Sequence, residues 1–229
     1  MSKILALDTS TDACSVALWL DGEQKVDFRV IPRQHTKELL PMADRILSEA
    51  GLTVSQLDAI AFGRGPGSFT GIRIATGVAQ GMGFAADLPL LPVSTLAAMA
   101  QNAITERQAE YVLSTLDARM NELYWAAYRA EDGLAVEIAA ERVCAPQQVV
   151  LPELNERWTA LGRGWVYLDQ MSESVQEVVQ QPETDYYPSA GDMLPLAAAM
   201  FEANEGIAAE DAAPVYLRDE VAWKKKDQQ

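Results

Sequence analysis

The chain says the same thing twice, and that duplication limits its fold more than any other feature. A short apolar run near the start ends in Leu7-Asp8, and another near the middle ends in Leu116-Asp117. Further along each half, a second apolar run closes on the same tripeptide, Gly63-Arg64-Gly65 and then Gly162-Arg163-Gly164. Around these landmarks the element order also repeats. Val/Ile/Leu-rich runs at 3–8, 14–20 and 25–30, with Asp21-Gly22 in a turn, predict a three-stranded meander. Residues 36–50 carry Leu39, Leu40, Ala43, Ile46, Leu47 and Ala50 at helical spacing, with Thr36 as N-cap, Pro41 near the first turn and Gly51 closing the end. A strand at 59–63, a glycine turn, a helix over 69–86, a strand at 90–93 and a helix over 94–103 follow. The second half gives another meander at 110–117, 122–130 and 134–143, with "EDG" at 131–133 as a hairpin turn. After it come a helix at 146–156, a strand at 159–162, a partly helical stretch over 167–181, a short strand at 184–187 and a helix over 192–203.

The order βββαβαβα is that of a ribonuclease H-like half, three antiparallel strands leading and later strands joined by helical crossovers. The expected fold is therefore α/β, two tandem ribonuclease H-like domains of the actin-like ATPase (ASKHA) type, the second less regular. The expected division is 1–105, 106–210 and a tail over 211–229. Two such domains facing each other form a cleft, the place of the nucleotide in actin, Hsp70 and sugar kinases.

Composition narrows the functions. With 229 residues, 49% of them hydrophobic, a buried core is assured. The 33 acidic against 18 basic residues give a net charge of −15, a field that repels nucleic acid and acidic membranes. Lys224-Lys225-Lys226 beside Trp223 reads as a solubilising tail. The first apolar run breaks at Asp8 and no stretch nears the ~20 apolar residues of a membrane span, so a cytoplasmic protein with no membrane contact is expected. Cys14 and Cys144 lie far apart without histidines near them and read as reduced thiols. His35 is the only histidine, which excludes a two-histidine metal site and H-E-x-x-H hydrolysis; no G-x-S-x-G elbow exists to make it part of a triad. It is expected to cap a helix or touch a partner.

"FGRGPGSFTGIRI" (62–74) fails the P-loop pattern for want of a lysine, and fails G-x-G-x-x-G in both registers. Two readings remain. Backbone N–H groups at a helix start can hold an anion, aided by the hydroxyls of Ser68 and Thr70; or Gly65-Pro66-Gly67 merely turns a strand into a helix. Asp8 and Asp117 likewise are either carboxylates ordering magnesium waters beside phosphates or turn aspartates bonded to their own backbone. The nucleotide or phosphate candidates are thus Asp8, Thr9, Gly65, Gly67, Ser68, Asp117 and Arg119. In the helix after the turn, Gly71, Ala75, Ala79 and Gly83 recur every four residues, as do Gly77, Gly81 and Ala85. Such a helix expects close packing on more than one side, either internally or against another chain.

"ILALDTSTDACSVAL" (4–18), "RQHTKELLPM" (33–42), "GRGPGSFTGIRI" (63–74), "VSTL" (93–96), "LDARMNELYWAAY" (116–128) and "APVYLRDEVAWKK" (213–225) together resemble the TsaB (YeaZ) family, across nearly the whole chain. The resemblance implies a subunit of the bacterial machinery that places threonylcarbamoyl on the adenosine beside the tRNA anticodon. It implies a partner, the catalytic paralogue TsaD, with help from the ATPase TsaE, a homodimer when alone, and tRNA reached only indirectly. TsaD carries two metal-binding histidines four apart after its fifth strand; the corresponding positions here are Thr95 and Met99, so the resemblance implies a degenerate copy with no catalytic residues and no metal. No cofactor of its own is expected, only ATP or ADP at the interface with TsaD. Pairing in the family uses N-terminal helices, here 36–50 and 69–86, which makes His35, Leu39, Ile46, Ile74, Val78, Ala79 and Met82 the interface candidates. The alternative is an actin-like ATPase or small-molecule phosphotransferase using the cleft.

Overall fold

The computed structural model describes residues 2–20, 22–152, 156–179 and 181–218. Asp21 of the first predicted turn, positions 153–155 of the predicted helix at 146–156, and the lysines at 224–226 with Trp223 lie outside the described residues.

The first sheet has the order β3-β2-β1-β4-β5. It is built from β1 (Lys3–Asp8), β2 (Ala13–Leu20), β3 (Glu23–Val30), β4 (Ala59–Gly65) and β5 (Leu90–Ser94). The meander is antiparallel; β4 runs parallel to β1, pairing Ile4 with Ala59 and Leu7 with Phe62, and β5 runs parallel to β4. Ile4 to Leu7 and Ala59 to Phe62 are wholly buried, as expected of strands covered on both faces. One face is covered by α1 (His35–Glu49) and α2 (Phe69–Ala86), whose Leu39, Met42, Ile46 and Ala79 join Leu5, Leu7, Ile60 and Phe62 in one core. α1 starts earlier than the expected Thr36: Gln34 is the cap, and His35 is drawn inward with its Nε2 3.1 Å from the Ala13 carbonyl. Pro41 accordingly sits inside α1 rather than in its first turn.

The second sheet, β8-β7-β6-β9, repeats the same arrangement for four strands. These are β6 (Tyr111–Arg119), β7 (Glu122–Glu131), β8 (Leu134–Cys144) and β9 (Trp158–Leu161), the last parallel to β6. Two expectations fail here. Among the described residues of the helix predicted at 146–156 stands a 3₁₀ turn, Pro146–Gln148, which the β-branched Val149 and Val150 and then Pro152 do not continue. The strand predicted at 184–187 is one parallel bridge, Leu161 to Glu183, because Pro182 and Pro188 on either side have no N–H to extend a ladder. The stretch predicted as partly helical contains a 3₁₀ segment, Arg163–Gln170, and α4 (Glu173–Val178).

The remaining helices are exchanged between the sheets. α3 (Thr95–Arg107), capped by the Ser94 hydroxyl, follows the first sheet but packs Leu96, Met99 and Ala103 on Val112, Leu116 and Tyr128 of the second. α5 (Ala190–Glu202) follows the second sheet but packs Met193, Leu194 and Ala197 on Ile4, Ala6 and Val93 of the first. The two helices meet where Asn102 Nδ2 donates to Asp192 Oδ1 at 3.0 Å, and the Tyr186 hydroxyl donates to Asp192 Oδ2 at 2.8 Å. Burial pushes the Asp192 carboxyl above its ordinary pKa despite those bonds. No helix among the described residues is long and apolar enough to cross a membrane.

The repeated glycines mark close approaches of backbone. A Cβ on Gly63 would lie 2.1 Å from the Asp8 carboxylate, and one on Gly162 would lie 1.9 Å from the Thr115 carbonyl. The start of α2 presses harder still on the β1–β2 hairpin. The Ser68 N–H donates to the Ser10 carbonyl at 2.7 Å, the Thr9 hydroxyl to the Gly71 carbonyl at 2.7 Å, and a Cβ on Gly71 would lie 1.9 Å from the Thr9 carbonyl. Gly77, on the same helix, has open space where a Cβ would go. Denaturant titration should therefore separate two identical substitutions. Gly71→Ala costs about 2 kcal/mol or more through backbone displacement, whereas Gly77→Ala stabilises by about 0.5–1 kcal/mol through helix propensity.

Candidate functional site: the cleft and the outer helix face

A cleft of about 950 Å³ lies between the two sheets. Ser10, Thr11 and Asp12 of the β1–β2 hairpin and Gly67, Ser68, Phe69 and Arg73 of the α2 start form one wall. Residues 116–119 of the β6–β7 hairpin, with Tyr124, Arg163 and Tyr187, form the other. Residues 215–218 cross between them. The Val215 N–H donates to the Arg64 carbonyl at 2.8 Å, while Arg218 Nη2 donates to the Ala118 carbonyl at 3.2 Å and pairs with Glu122. This last described segment is thus pinned to both halves. Beside it the Arg73 guanidinium stands 3.4 Å over the Phe69 ring and 5.2 Å from that of Tyr216.

The phosphate candidates divide. Gly67, Ser68, Asp117 and Arg119 line the cleft; Asp8, Thr9 and Gly65 do not. Asp8 is 1% exposed. Its Oδ1 accepts from the Ser10 N–H (3.1 Å) and hydroxyl (2.9 Å), and its Oδ2, facing Gly63, has no partner. Burial lifts its pKa to about 7. Thr9 is wholly buried against α2, and Gly65, at φ +103°, lies beneath the Val215 carbonyl. The N–H groups of Ser68 and Gly71 are taken by the Ser10 carbonyl and the Ser68 hydroxyl. The glycine turn thus packs on the hairpin, while Gly67, Ser68 and Phe69 at the helix start still line the cleft. Asp117, by contrast, reaches the cleft, where its Oδ1 accepts from the Arg119 N–H (2.9 Å) and the Tyr167 hydroxyl (3.2 Å). The two repeated arginines have also diverged. Arg64 pairs across the halves with Glu141 at 3.1 Å, while Arg163 contacts Tyr187 at the cleft.

Four of the seven interface candidates lie inside the fold: His35, Leu39, Ile46 and Ala79 are buried, so none meets a partner while the fold is closed. Ala79 belongs to the core beneath α2 because the four-residue row Gly71, Ala75, Ala79, Gly83 is the inward face. Ile74, Val78 and Met82 are half-buried at the margin. The outward face is the other small-residue row, Gly77, Gly81 and Ala85, with Phe84 80% exposed and Leu40 of α1 52% exposed. Arg73, Tyr216 and Arg218 lie in the stretches 63–74 and 213–225 that carry the family resemblance, but no local pattern marks them, or Phe84 and Leu40, as surface contacts.

Thr95 and Met99, the positions corresponding to the metal histidines, are buried on α3, with the Met99 methyl in the space beside Gly162. Neither a threonine hydroxyl nor a thioether replaces an imidazole at an iron or zinc site, and no group of three His, Cys, Asp or Glu able to hold a metal occurs among the described residues.

Asp8 makes stability pH-dependent. The folded protein keeps its proton to about pH 7, while the unfolded chain loses it near the ordinary 3.8, so stability falls as pH rises between those values and is level above them. Asp8→Asn should remove that slope and, in urea titrations at pH 8, raise stability by about 2–4 kcal/mol.

Comparison with known proteins agrees with this architecture. The family described as TsaD, tRNA N6-adenosine threonylcarbamoyltransferase, matches residues 29–226. The protein named tRNA threonylcarbamoyladenosine biosynthesis protein TsaB of Escherichia coli K12 is 45% identical over 97% of both chains. That of Haemophilus influenzae is 45% identical over 97% of this chain and 96% of its own. The solved structure of YeaZ from Pseudomonas aeruginosa superposes with a TM-score of 0.89 at 46% identity, covering 95% of this chain and all of that one. With its two sheets arranged as two tandem ribonuclease H-like units of the ASKHA type, this chain belongs to the TsaB family of tRNA threonylcarbamoyladenosine biosynthesis proteins.

Proposed function

We propose that the chain is the non-catalytic partner subunit that binds and activates TsaD, together with TsaE, for threonylcarbamoyl transfer to the adenosine beside the tRNA anticodon. The observation that carries this reading is the outer face of α2. Gly77 and Gly81 have open space around them, so a second helix can approach its backbone closely, and Phe84 on the same helix and Leu40 of α1 are exposed apolar side chains. Ile74, Val78 and Met82 flank the same strip. A second copy of this chain would use that face when TsaD is absent. Any ATP or ADP would sit at the interface shared with TsaD. Two features support a non-catalytic role: the buried Asp8, which cannot reach a ligand in the cleft, and the Thr95 and Met99 pair. The same burial weakens the alternative of an autonomous ATPase or phosphotransferase.

Reconstitution tests the proposal: with threonylcarbamoyl adenylate as donor and AMP as the leaving group, TsaD and TsaE with this chain should transfer threonylcarbamoyl to tRNA, and undiminished transfer without it refutes the role. Gly81→Arg and Phe84→Asp should each lower co-elution with TsaD at least about tenfold while melting like the parent. Ala79→Arg, which forces a charge into the core, should instead give a chain that does not fold.

A further inference from the structure

We infer that the cleft holds one unpaired nucleotide of a single-stranded RNA segment, its base on the aromatic shelf and its phosphates between the arginines. The inference deepens the function proposed above and rests on it, with TsaD supplying the main hold on the RNA.

Three observations carry it. First, the cleft inverts the charge of the molecule. In a chain of net charge −15 its described lining gathers Arg73, Arg119, Arg163 and Arg218 against Asp12 and Asp117, with Glu122 paired to Arg218 just outside. Three of these guanidiniums are loosely held or free of carboxylates. Arg119, 82% exposed in its side chain, is 3.5 Å from Asp117, and Arg163 is 3.7 Å from the exposed Asp185. Arg73 has no carboxylate within 4.0 Å among the described residues. Exposed pairs of this kind yield readily to a phosphate.

Second, a stacking surface stands beside them. Phe69 and Tyr216 have ring centroids 5.7 Å apart with the Arg73 guanidinium over Phe69, and both rings are exposed, 56% and 43%. Tyr124 and Tyr187 line the opposite wall. Arginine and aromatic side chains interleaved along a groove are the chemistry that holds unpaired bases and tracks a backbone.

Third, part of what a magnesium triphosphate would use is withdrawn from the cleft. The Asp8 carboxylate is sealed in the core, the Ser68 and Gly71 N–H groups are spent, and Val215 covers Gly65. What remains open recognises a base and its flanking phosphates rather than a free nucleoside triphosphate.

Fluorescence titration of the full chain with a short single-stranded oligoribonucleotide carrying one 2-aminopurine tests the inference, since stacking quenches that base. Saturable quenching is expected at low salt, with a log–log salt slope of about −1 to −2 for a few phosphate contacts. Arg119→Ala and Arg163→Ala should each weaken binding by about five- to tenfold, and Tyr216→Ala should remove most of the quenching. Arg129→Ala, which deletes the same charge outside the cleft lining, should leave both unchanged. Absence of saturable quenching, equal binding by all variants, or displacement of the RNA by magnesium ATP at lower concentration than by unlabelled RNA overturns the inference. Co-elution of Arg119→Ala with TsaD separates the two proposals. Intact pairing with no RNA binding by the parent chain sinks the cleft assignment alone, and failure of the parent to pair sinks the subunit role.

Discussion

The backbone contact between the start of α2 and the β1–β2 hairpin sets the geometry on which both surfaces depend. Because Gly71 and Gly67 lack side chains, the Thr9 and Ser10 carbonyls come close enough for Ser68 to donate to one and for the Thr9 hydroxyl to reach Gly71. That clamp fixes where α2 begins, and hence its rotation about its axis. One small-residue row then faces the sheet, the other faces outward, and Arg73 swings over Phe69 at the cleft mouth. A shift of two residues, about 200° of rotation, would bury Gly77 and expose Ala79, moving both surfaces together.

Much of this was legible in the sequence because repetition is a strong signal. The LD and GRG landmarks placed the first and fourth strands of both halves, and continuous apolar runs such as 59–63 marked strands covered on two faces. The errors arose where local pattern and tertiary context disagree. Residues 146–156 read as a helix but carry Val149, Val150 and Pro152, and the run at 184–187 lies between Pro182 and Pro188. The four-residue spacing in α2 showed two small-residue rows without saying which points inward; only the sheet beneath decides that, which is why Ala79 read as a contact and proved to be core. The cleft residues Arg73, Tyr216 and Arg218 lie in two stretches about 140 residues apart, 63–74 and 213–225, so only the fold shows that they meet.

Asp8 shows how a fold can keep a residue at its inherited place while changing its chemistry. At the end of the first strand of each half stands an aspartate, and in the second half Asp117 opens onto the cleft. In the first half Gly63 makes room for it to lie inward, and the hairpin closes over it. The two halves therefore match in topology and differ in polarity at equivalent points: one carboxyl is desolvated and proton-bearing near neutral pH, the other hydrogen-bonded at a cationic surface.

The exchange of α3 and α5 has a consequence for how the protein comes into being. The far face of the first sheet, with Ile4, Ala6 and Val93, is covered by Met193, Leu194 and Ala197, which are among the last described residues to leave a ribosome. A nascent chain can pair β1 to β5 early, yet it keeps an apolar sheet face bare until α5 emerges. Synthesis, unlike refolding of the finished chain, thus passes through an interval in which the first half has its strands but lacks its lid, and chaperones or neighbouring nascent chains have that interval in which to bind it.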